Sequence, residues 1–179
     1  MWLNGTMQEI LYEYSKETFT VAIYLITTPH AHMSGVYYLP ISEIADHTNC
    51  SVDETRKSLA ELDEIGFAKY DATVKIIWVR NMWRYQIGDP FNHRDNKYKS
   101  TISHLAGLPF SSLIGEFVAD AGINFDDLPK GLREGLAKGH GKGPYPFPIP
   151  SPSLPDPDPS GGRPKKIQNF AANGGRLDD

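Results

Sequence analysis

Ser51, Glu54, Arg56 and Lys57 fall within about two helical turns of one another in "SVDETRKSLAELDEIGF". Their types suit contact with a nucleic acid. On the N-terminal half of a helix laid in a major groove, Arg56 can donate to guanine, while Glu54 or Asp53 can accept from a cytosine amino group. Lys69, Lys75 and Arg80, with Arg84 beyond, follow within the next 30 residues and could anchor phosphates. Neutralising about four to six phosphates gives binding that weakens steeply with salt. The same positions also fit a plain solvated face. Opposite Val52, Leu59 and Leu62 the helical wheel centres near Lys57, flanked by Asp53, Glu61 and Glu64, and is net negative. Asp53 with Lys57, and Lys57 with Glu61, are i, i+4 pairs worth about 0.3 kcal/mol each on an exposed helix.

Other chemistries find less support. His30, His32, His47 and Cys50 match no zinc-ligand spacing, so no metal is expected. There is no phosphate-cradling glycine loop and no Ser/His/Asp or Cys/His set, so neither catalysis nor a cofactor is expected. Trp78, Trp83 and Tyr85 have the faces to stack on single-stranded bases, although hairpin aromatics more often build a core.

The elements that would position these residues follow from spacing. Met7, Ile10, Leu11 and Tyr14, then Phe19, Ala22, Ile23 and Ile26, repeat at helical intervals. They predict two short helices or one interrupted helix ahead of Pro29, with Ser15 as a cap. "GVYYLP" (Gly35 to Pro40) predicts a short strand. Ile41, Ile44, Ala45 and Thr48 mark a two-turn helix that Asn49 can close in the left-handed conformation. "SVDE" then offers a capping box for a second helix with Val52, Thr55, Leu59 and Leu62 inward, stopping at Gly66. Phe67 to Asp71 and Val74 to Arg80 predict a hairpin turning at "YDAT", with Val74, Ile76 and Trp78 on one face and Lys75, Ile77 and Val79 on the other. The strand at 35–39 should pair beside it. Two helices joined within about three residues and followed by a hairpin predict an α+β winged helix-turn-helix over residues 1–88.

Residues 89–128 predict a helical extension. Tyr98, Ile102 and Leu105 give one helix; Phe110, Leu113, Ile114, Phe117, Val118 and Ala121 give a second, amphipathic one. The apolar face of this second helix, with Phe110, Leu113, Ile114 and Phe117, would either pack on the domain or receive a partner. Residues 129–179 hold 10 Pro and 9 Gly in 51 positions, a density that predicts a disordered tail.

The stretch from "YLITTPH" through "GVYYLP", "IADHT", "L-x-x-L-x-x-x-G-F" and "YDATVKIIWVRN" resembles the N-terminal winged-helix domain of phage replisome organiser proteins, relatives of DnaD-type primosome proteins. The likeness covers roughly residues 2–87, with Trp2 matching an early tryptophan. It implies binding to double-stranded DNA, a part in replication initiation, and contact with the replicative helicase or its loader. The chain departs from the longer members, which carry a second helical domain.

Charge weighs against a simple phosphate binder. The net charge is -4, distributed as -3 over residues 1–99, -4 over 100–128 and +3 over 129–179. Nucleic-acid binders usually carry a basic footprint. The tail's "GGRPKK", Gly161 to Lys166, resembles half of a minor-groove hook and could offset the acidic helix. A winged-helix transcriptional regulator has the same shape, and an adaptor that never touches DNA would need no footprint at all. One Cys excludes an intramolecular disulfide framework. The longest apolar run, Val21 to Ile26, is far short of a membrane span. A cytoplasmic place, away from membranes, is therefore expected, and the resemblance implies a bacterial host cell.

Overall fold

The computed structural model describes residues 6–88 and 92–137. Helix α1 (Thr6–Glu13) and helix α2 (Lys16–Thr27) are separated at Ser15, whose side chain accepts from the Thr18 amide and starts α2. Strand β1 (Val36–Tyr38) leads into α3 (Ile41–Thr48) and α4 (Val52–Glu64). Strands β2 (Ala68–Asp71) and β3 (Ile76–Val79) form an antiparallel hairpin, and β1 adds to the free side of β3, giving the order β1-β3-β2. Helices α5 (Met82–Gln86), α6 (Asn96–Gly107), α7 (Ser112–Asp120) and α8 (Lys130–Ala137) follow, with a 3-10 turn at Phe125–Asp127. The class is α+β: eight helices and one small sheet among the described residues.

Local chemistry accounts for the joint between α3 and α4. Asn49 takes φ 55° and ends α3 in the left-handed conformation. Ser51 then accepts from the Glu54 amide while the Glu54 carboxylate takes the Ser51 amide. Two orphan amides are satisfied reciprocally, and one helix stops and the next starts within three residues. A left-handed residue also shapes the hairpin. The turn occupies 72–75, later than "YDAT", and Lys75 sits in it at φ 59° instead of opening the strand.

Strand β3 is buried on both faces, and this organises the molecule. Ile77 and Val79 join Val21, Leu25, Ile44, Leu59 and Leu62 in a first core under α1–α4. Ile76 and Trp78 point the other way into a second core with Trp83, Tyr98, Leu105, Ile114, Phe117 and Leu132. The sheet is a wall between two apolar layers, each closed by helices.

Three expectations are corrected here. The amphipathic face of α7 is internal: Leu113, Ile114 and Phe117 are 6%, 0% and 0% exposed, so they cannot receive a partner, and of that set only Phe110 reaches solvent. Its ring lies over Gly135 of α8, where an added Cβ would meet Phe110 Cε1 at 1.9 Å. The tail does not begin at 129, because Lys130–Ala137 forms α8 and buries Leu132. The remainder, 138–179, with "GGRPKK", lies outside the described residues. Val52 is also 40% exposed, and Ser58 takes the inward place beside Thr55, Leu59 and Leu62.

Candidate functional site

The outward face of α4 is set by what its inner face buries. Thr55, Ser58, Leu59 and Leu62 lie against the first core, which leaves Val52, Asp53, Arg56, Lys57 and Ala60 in solvent. A buried polar contact fixes the helix in rotation: Thr18 Oγ1 of α2 donates to Glu61 Oε2 at 2.5 Å and lies 3.1 Å from Ser58 Oγ. Buried hydroxyls need such partners, and a helix rotated about its axis would lose them.

The acidic residues of α4 are largely engaged within the chain. Glu54 is held by the Ser51 hydroxyl and amide, each at 2.7 Å, and these hydrogen bonds keep its carboxyl below the usual range. Glu61 is taken by Thr18 and by Lys57, whose Nζ lies 3.7 Å away. Asp53 pairs with Arg56 at 2.6 Å, not with Lys57. The unexpected i, i+3 pair points Arg56 back toward the helix N-terminus, while the Lys57–Glu61 pair leads Lys57 toward the C-terminus.

The anticipated phosphate anchors, apart from Lys75, are paired with carboxylates within the chain. Lys69 lies opposite Trp78 in the sheet register, so it projects to the second core's side, and its Nζ meets Glu116 of α7 at 2.6 Å. Arg80 reaches Asp63 at 3.7 Å, with its guanidinium 5.4 Å from the Trp78 ring centre. Arg84 pairs with Asp120, which also accepts from Trp83 Nε1 at 2.9 Å. These groups work as struts. With Ser111 Oγ donating to Asp71 at 2.7 Å, Lys69–Glu116 and Arg84–Asp120 link α5, α7 and the sheet, while Arg80–Asp63 ties the end of β3 to α4. Lys75, in the hairpin turn, is exposed and has no ion pair among the described residues. Of the aromatics considered for base stacking, Trp78 and Trp83 are buried at 4% and 2%; Tyr85 is half exposed.

The C-terminal half of α4 lies in a different field. Burial, and then Glu9, Glu64, Glu61 and Glu13, push the Tyr14 phenol upward, which places carboxylates of α1 and α4 around one ring. An anionic flank of this kind repels phosphate. The partners that sort these residues were signalled in the sequence for the capping box and for the Lys57–Glu61 pair. The Asp53–Arg56 pair is visible as i, i+3 spacing but competes with Asp53–Lys57, and Thr18–Glu61 and Lys69–Glu116 span 43 and 47 residues with no local cue.

Among the described residues no group of three His, Cys, Asp or Glu side chains could hold a metal ion, and no helix is long and apolar enough to cross a membrane. Comparison with family models, with curated proteins and with solved structures finds no match to this chain.

Proposed function

We propose that the chain is a non-enzymatic DNA-binding protein built on a winged helix-turn-helix, which contacts duplex DNA with the N-terminal half of α4 and the 72–75 turn. The observation that carries the reading is the α3–α4 joint, followed by the β2–β3 hairpin with β1 alongside, with the outer face of α4 left open while its inner face is locked to α2. A capped helix held in one rotation and open outward meets the geometric requirement for lying in a major groove. The accompanying roles, initiation of phage or prophage replication in the bacterial cytoplasm and contact with the replicative helicase or its loader, rest on the resemblance over residues 2–87. A transcriptional regulator of the same shape would select promoter instead of origin fragments.

A second reading has its own support. Arg56, Lys57, Lys69 and Arg80 are all ion-paired within the chain, and an adaptor that binds only protein would leave them so. Fluorescence anisotropy of the full chain with labelled duplex separates the two. With Arg56, Lys57 and Lys75 as the remaining contacts, the DNA reading expects a log–log salt slope of about -2 to -3. Absence of binding to any duplex at about 50 mM salt, where phosphate contacts are strong, contradicts it and leaves the adaptor.

A further inference from the structure

Asp53 is 91% exposed in its side chain, and Arg56, at 65%, meets it at 2.6 Å on the open face of α4. An exposed pair of this kind contributes little to stability, about 0.3 kcal/mol. Its geometric effect is larger. A free arginine explores many rotamers, whereas a carboxylate one turn earlier draws the guanidinium toward the N-terminus of the helix. That is the end a helix-turn-helix directs at base edges. Only Nη1 of the guanidinium meets the carboxylate, and a guanidinium carries five N–H donors, so a two-pronged edge remains for another acceptor pair. The planar acceptor pair that matches this fork in a major groove is O6 and N7 of guanine.

We propose that Asp53 and Arg56 form one reading element, Asp53 positioning the Arg56 guanidinium for bidentate recognition of a guanine, while Lys57 meets a phosphate. This rests on the duplex-binding reading above and adds the base class and the division of labour. Lys57 belongs to the backbone because its tether runs the other way: Nζ leans toward Glu61 at 3.7 Å, one turn closer to the C-terminus, away from the end that enters the groove. Lysine also carries a compact charge without a planar fork, which suits phosphate more than base edges. The acidic character of the N-terminal half then serves recognition. Glu54 closes the capping box, and Asp53 aims the arginine.

A carboxylate that only repels DNA and one that aims an arginine predict different guanine preferences after the same substitution. Selection from a randomised duplex pool, followed by competition titrations, is run on the full chain and on Asp53→Ala, Asp53→Glu, Arg56→Lys and Lys57→Gln. Asp53→Ala is expected to bind unselected duplex at least as tightly as the parent, having one negative charge fewer. Its preference for guanine at one position should fall by roughly 5- to 150-fold, the range for one bidentate contact. Arg56→Lys should lose the same preference, and Asp53→Glu, which keeps a carboxylate within reach, should retain most of it. Lys57→Gln should weaken all duplexes alike and flatten the salt slope by about 0.9. If Asp53→Ala tightens binding with the guanine preference unchanged, or the parent binds duplex with no base preference, the reading element is overturned while duplex binding stands. If no protein in the set binds any duplex, both proposals fall together.

Discussion

Phe117→Ala tests the finding that α7 belongs to the fold and is not a landing site. Phe117 is fully buried, stacks edge-on against Trp78 with ring centres 6.4 Å apart, and sits among Ile114, Leu105 and Ile76 in the second core. Truncating a phenylalanine in such a place removes its transfer free energy and leaves a cavity, for a loss of about 3–5 kcal/mol. Since a domain of this size has about 5–15 kcal/mol in total, the loss is a large fraction of the whole. Urea unfolding, followed by far-UV circular dichroism and by tryptophan fluorescence, reads it directly. With a slope of about 2 kcal/mol/M, the midpoint should fall by about 2 M, and the two signals should still coincide because β3 is shared by both cores. Phe110→Ala, at a half-exposed ring over Gly135, should cost about 1 kcal/mol. A loss below about 1 kcal/mol at Phe117, or a variant in which the signals separate into two transitions, would refute the shared wall.

Two further perturbations probe the wall's edges. His32 and His104 stack with centroids 3.7 Å apart, and His104 Nε2 donates to the Val36 carbonyl, clipping α6 to β1. Burial, and then His104, push His32 down to about 4; burial lowers His104 as well, with the Val36 hydrogen bond opposing. Both folded values lie below the unfolded one, about 6.5, so the unfolded chain binds more protons and stability falls as pH drops from about 6.5 toward 4. Discounted for partial exposure, the loss attributable to His32 is about 1–2 kcal/mol. Denaturant titrations from pH 7 to pH 4.5 should show a shallower decline in a His32→Asn/His104→Gln variant, and parallel declines would refute the assignment. Gly35, at φ +81°, has its Cβ position 2.3 Å from the Val79 carbonyl oxygen, so Gly35→Ala must shift β3 backbone. It should cost about 2–4 kcal/mol in thermal or urea melts, and a loss under about 1 kcal/mol would contradict that close approach.

Much of the first layer was legible from spacing because local rules determine it. Ser15, Asn49, Ser51 and Glu54 behave as their types dictate at helix ends, and the alternation in "VKIIWV" places Ile76 and Trp78 opposite Ile77 and Val79. That same alternation held a signal for the second core. A strand apolar on both faces needs a layer on each, and the amphipathic α7 was available to supply one. Helix α8 stayed hidden because Gly131 and Gly135 depress helix propensity inside a segment rich in Pro and Gly. Its apolar face, through Leu132 and Leu136, forms against the second core, which composition does not register. At the site, the positions of Arg56 and Lys57 were readable, but the roles of Lys69 and Arg80 were not. Their partners Glu116 and Asp63 are chosen by tertiary packing, which local spacing does not register.

The most direct measurement is a map of backbone amide chemical shifts in the full chain as duplex DNA is added at low salt. The account predicts that the perturbations concentrate on residues 51–60 and on the 72–75 turn, and that the α1 carboxylate flank and α7 stay unperturbed. Shifts centred on α7 or on the Glu9, Glu13 and Glu64 surface, or no shifts with any duplex, would contradict it.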